Sequence, residues 1–87
     1  MLKVPAPIPP KQLKRVLELH GYKIVGEDEW NWALAKDSGV PILIPKEGEF
    51  VAVEVMMDTL HKAGITEPGT YFPLRDQAAK ELGIHPN

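Results

Sequence analysis

Residues 30–45 read Trp30-Asn31-Trp32-Ala33-Leu34-Ala35-Lys36-Asp37-Ser38-Gly39-Val40-Pro41-Ile42-Leu43-Ile44-Pro45. Trp30, Trp32 and Leu34 alternate with Asn31, Ala33 and Ala35, the period of two that marks a strand over 30–36. Asp37-Ser38-Gly39 fits a tight hairpin loop with the glycine in the left-handed position. Residues 40–44 read as the returning strand, with Ile42 and Ile44 on one face and Leu43 on the other. Pro41 has no amide to give to a ladder, which favours an edge or strand-start position.

Upstream, Tyr22 to Val25 reads as another strand, joined by the polar turn Gly26-Glu27-Asp28-Glu29. Three strands with short turns make an antiparallel meander. Before it, Leu13, Val16, Leu17 and His20 keep helical spacing. Pro10 suits the first turn of that helix and Gly21 its left-handed end. Lys11, Lys14, Arg15 and Glu18 occupy the other side. Residues 1–9 form a proline-rich arm, read as a spacer rather than as a ligand for a proline-reading module. Downstream of a loop over 45–50, Val53, Met56, Met57 and Leu60 repeat the helical stripe, and Gly64-Ile65 ends it. Thr66 to Thr70 reads as a linker. A third helix is expected from about Pro73 to Leu82, with Leu74, Ala78 and Leu82 on one stripe.

The expected fold is therefore α+β: α-β-β-β-α over 10–65, a three-stranded antiparallel sheet with two helices on one face. Residues 66–87 add a linker and a C-terminal helix. The other sheet face would expose Val25, Ala33, Ala35 and Leu43. Small apolar side chains are poor solvent surface, so a cover is expected: the segment carrying Tyr71 and Phe72, or a second subunit. The short linker favours exchange of the tail within a homodimer.

Eighty-seven residues make one small domain. Cysteine is absent, which removes disulfides and thiolate metal sites. The apolar run Val40 to Pro45 falls far short of the roughly 20 residues that span a bilayer, and the N-terminus lacks a secretory apolar stretch. A cytoplasmic location, with no membrane partner, is the expectation. The net charge is −2, but its distribution is uneven: +4 over residues 1–24, −6 over 25–60 and balanced over 61–87. The basic charge belongs to the first helix, and the middle of the chain would repel a phosphate backbone.

The phrases Leu19-His20-Gly21-Tyr22-Lys23-Ile24-Val25, Ile42-Leu43-Ile44-Pro45 and Thr59-Leu60-His61-Lys62-Ala63-Gly64-Ile65, in this order and spacing, resemble the HicA-type (YcfA-like) mRNA interferase toxins. The likeness runs from about Pro9 to Ile65. It implies a double-stranded-RNA-binding-domain-like fold, RNA as substrate and a place in a toxin–antitoxin system. The catalytic histidine of that family lies in a Gly-Ser-X-His pattern at the start of the second strand. This chain has Glu27-Asp28-Glu29-Trp30-Asn31-Trp32 there, and Lys46-Glu47 where a second histidine often follows the proline. Tryptophan cannot take a proton, so the general acid/base groups of the family mechanism are missing.

Among other chemistry, His20, His61 and His85 show no metal-ligand spacing. Glu27-Asp28-Glu29 lacks calcium-loop spacing, and Ser38 has no base near it. No catalytic residue, metal or cofactor, including any small-molecule cofactor, is expected. Lys11, Lys14 and Arg15 are the candidates for weak RNA binding. Trp30 and Trp32 either fill the core, the favoured reading, or stack on bases or anchor a partner. Val25, Ala33, Ala35, Leu43, Tyr71 and Phe72 are the candidate partner or dimer face. The sequence thus points to a HicA-like domain without nuclease residues that acts by binding, a protein partner first and RNA second. The alternatives are an active interferase using unfamiliar residues, and a structural or oligomerising module.

Overall fold

Helix α1 (Pro10–Leu19) opens the fold in the structure, a computed structural model that describes residues 4–84. Strands β1 (Lys23–Glu27), β2 (Asn31–Ala35) and β3 (Ile42–Pro45) follow, then helices α2 (Val53–Lys62) and α3 (Pro68–Leu82). Over the described residues the chain is thus α+β, with three helices and an antiparallel sheet in the order β1-β2-β3.

The register assigns the two faces. Leu34 pairs with Ile24 and Ile42, and Trp32 pairs with Glu27 and Ile44. Leu34, Ile42 and Ile44 join Leu13, Val16 and Leu17 of α1 and Met56 and Leu60 of α2 in one buried cluster. That is the inner face. Ala33 pairs with Gly26 and Leu43, and Ala35 with Lys23, so these residues belong to the outer face. A bulge between Ile24 and Gly26 adds Val25 to the outer side.

Each helix ends by the device its sequence announces. The amide after the terminal glycine bonds back five residues: Tyr22 to the Leu17 carbonyl, Ile65 to Leu60 and Ile84 to Ala79. The hairpin between β2 and β3 differs from expectation. Asp37, not Gly39, takes the left-handed conformation, with φ 55°. Gly39 is needed for space instead: a Cβ there would lie 3.1 Å from the Lys36 carbonyl oxygen, to which its own amide donates. β3 starts after Pro41 because proline gives the ladder no donor, and Val40 stays in the loop, 88% exposed.

The arm is more than a spacer at its end. Ile8 is buried, and its carbonyl accepts the Val51 amide at 2.9 Å.

The tail departs most from the sequence reading. α3 begins at Pro68, not Pro73, and so consumes most of the expected linker. Pro73 sits inside it, where the missing amide and the ring cost a helix about 3 kcal/mol. Burial on both sides of that position offsets the cost: Tyr71, Ala78 and Ala79 are buried, and Leu74 packs against the core. The apolar stripe is therefore Tyr71, Leu74 and Ala78, and Leu82 is largely exposed. This stripe lies against α1 of the same chain, not against the outer face of the sheet. Gln12 Nε2 donates to the Arg75 carbonyl at 3.1 Å, and the Arg15 guanidinium meets the Glu81 carboxylate at 2.8 Å. The expected cover of the outer sheet face by the tail is thereby corrected.

Candidate binding surfaces

The three basic candidates of α1 have different fates. Lys11 is exposed. Lys14 is half-buried, its Nζ 4.9 Å from the centroid of the Trp32 ring. Arg15 is engaged by Glu81, with a second, longer contact to Glu18 at 3.8 Å. Hydrogen bonds from Gln77 and Arg15 hold the Glu81 carboxyl below the usual carboxylate range. The charge of Arg15 is therefore compensated before any phosphate arrives.

Trp32 and Trp30 do not act as a pair. Trp32 lies on the inner face, half-buried at the margin of the core. Besides Lys14, Lys46 approaches its ring, Nζ 5.8 Å from the centroid. Lys46 in turn forms an ion pair with Glu27. Two ammonium groups over one indole are cation–π contacts, and a stacking base would have to displace them. Trp30 is 57% exposed, which corrects its expected place in the core. It precedes β2, because the Asp28 carboxylate captures the local backbone. Asp28 Oδ1 accepts the amides of Trp30 and Asn31, both at 2.8 Å. These two bonds favour the ionised carboxyl and lower its pKa. The Trp30 carbonyl then accepts the Lys46 amide at 2.9 Å.

On the outer face, Leu43 is 59% and Val25 58% exposed. Ala33, between their strands, is half-buried. Ala35 is buried and is not part of the offered surface. Tyr71 is fully buried in the core of its own chain and cannot meet a partner, whereas Phe72 stays partly exposed on α3 under the Arg75 guanidinium. β1 is exposed along its whole length.

Among the described residues no group of three or more His, Asp or Glu side chains could hold a metal ion. His20 caps α1 and His61 lies exposed in the last turn of α2. His85 lies outside the described residues. Asp28 is committed to two backbone amides and Glu27 to Lys46, so two of the three acidic side chains of the turn are tied up internally. Among the described residues, no helix is long and apolar enough to cross a membrane.

Lys46 and Glu81 are the residues that sequence reading missed. Lys46 follows β3 by one position, and pairing of Pro45 with Asn31 brings it beside the tryptophans. Only the strand register carries that information. Comparison with known proteins returns no match among family models, curated proteins or solved structures.

Proposed function

We propose that the chain is a HicA-like, double-stranded-RNA-binding-domain-like module without nuclease residues, working in the cytoplasm by binding a protein partner, in a setting related to toxin–antitoxin systems. The observation that carries this reading is the uncovered outer face. Helices bury one side of the sheet, α3 packs on α1, and Leu43 and Val25 are left more than half exposed. Apolar area removed from water contributes roughly 25 cal/mol per Å². A stable interface takes roughly 800 Å² per partner, and the three strands of the outer face offer an apolar centre for one. Replacement of the histidine position by Trp30-Asn31-Trp32 supports binding over catalysis, since no side chain there exchanges a proton near neutrality.

RNA is the second reading, favoured only by Lys11 and Lys14 on α1. Lys14 lies over an indole, Arg15 is neutralised, and the nearby turn is acidic. Purified protein is expected to leave single-stranded RNA uncut and to bind it weakly. A Lys11→Glu/Lys14→Glu pair should weaken the residual affinity further and flatten its dependence on log salt by about 1 to 2. Arg15 is left intact so that its contact with Glu81 survives. Cleavage by nuclease-free preparations, or tight RNA binding that survives the double change, would refute this reading.

A further inference from the structure

The geometry points to Trp30 as the anchor of the protein–protein contact, seated in an apolar cleft of a basic partner; we propose this surface, and it rests on the reading of the chain as a protein-binding module. An exposed indole is a poor solvent surface and a frequent energetic centre of interfaces. Trp30 is 57% exposed, yet the backbone of Trp30 and Asn31 is held at three points. The amides of both are bonded to Asp28, and the Trp30 carbonyl to the Lys46 amide. A side chain presented on a fixed backbone loses little freedom on docking, so less of the contact energy is spent on ordering. The surface is therefore prepared before a partner arrives.

Charge selects the kind of partner. Glu29, Glu47 and Glu49 are exposed in the two loops that meet through the Trp30–Lys46 hydrogen bond. Lys46 is the sole basic residue of those loops and is already paired with Glu27. Such a rim repels nucleic acid and acidic proteins and speeds approach of a surface bearing lysine or arginine. The anchor and its rim thus fit an indole-sized apolar cleft bordered by basic side chains.

The probe is a phage-displayed pool of random twelve-residue peptides selected on the full chain. Enriched peptides are expected to combine apolar residues with a net positive charge. They should bind Trp30→Ala about 30-fold more weakly or worse, and retain part of their affinity with Trp30→Phe. Affinity for the unaltered chain should fall as salt rises. Because Trp30 lies outside the core, both variants should melt as the parent does. Peptides that are sensitive to Leu43→Lys but not to Trp30→Ala would overturn this inference and leave the sheet-face reading standing. Peptides insensitive to both would count against the inference and that reading alike. Enrichment of acidic peptides, or no enrichment, would overturn the inference alone.

Discussion

A chain cut after Ile65 is expected to lose cooperative unfolding and to aggregate. The tail is not a passenger in the fold: Tyr71 and Ala78 have no solvent exposure, and α3 covers α1. Truncating one large buried aromatic residue costs about 3–5 kcal/mol, against a total stability of about 5–15 kcal/mol for a whole domain. Removing the helix also uncovers apolar surface of α1 and breaks the contacts of Gln12 with the Arg75 carbonyl and of Arg15 with Glu81. The point variant Tyr71→Ala should show the same effect in weaker form. Thermal melts followed by circular dichroism, with sedimentation velocity on the same samples, check both. A truncated chain that stays monomeric and melts like the parent would show that α1 is stable bare.

The second large effect is alkaline. Burial pushes the Tyr71 phenol up from 10.0 to about 12, moderated by Arg75. Its hydroxyl finds no hydrogen-bond partner among the described residues. Below pH 10 the phenol is neutral in both folded and unfolded chains and adds no pH dependence. Between pH 10 and 12 the unfolded chain releases the proton while the folded chain keeps it, so stability falls as pH rises. Two pH units of difference amount to about 3 kcal/mol. Tyr71→Phe removes both the titration and the unmet hydroxyl. The variant should be more stable at neutral pH by about 1 kcal/mol and should lose this part of the alkaline decline. Urea midpoints across that pH range measure both. A phenylalanine variant that is less stable and declines equally would mean that the hydroxyl is satisfied when folded.

How far the sequence carried the reading depended on the range of the interactions involved. Helix ends were legible because Gly21-Tyr22, Gly64-Ile65 and Gly83-Ile84 act through the hydrogen bonds of a single turn. The meander was legible because alternation from Trp32 to Ala35 and the run from Ile42 to Ile44 are local patterns. The start of α3 was not, because Pro73 argues locally for a helix start while Tyr71 is buried by contacts with distant segments. Trp30 looked like a core residue by parity with Trp32 and Leu34. The Asp28 carboxylate, two residues away, stops the strand before it. Arg15 looked available for phosphate because its partner, Glu81, lies far along the chain. At the candidate surfaces, the sequence showed which side chains share the outer face. It could not show that α3 would settle on α1 and leave that face open.

The central claim is that a protein occupies the outer face of the sheet. It is tested most directly by placing a photo-crosslinking benzoylphenylalanine at Leu43, and in a control chain at Lys80 on exposed α3, and irradiating cells that make each chain. A single discrete adduct with another protein, formed from position 43 and absent from position 80, is the expected result. An adduct with RNA from position 43, or no adduct that distinguishes the two positions, would contradict it.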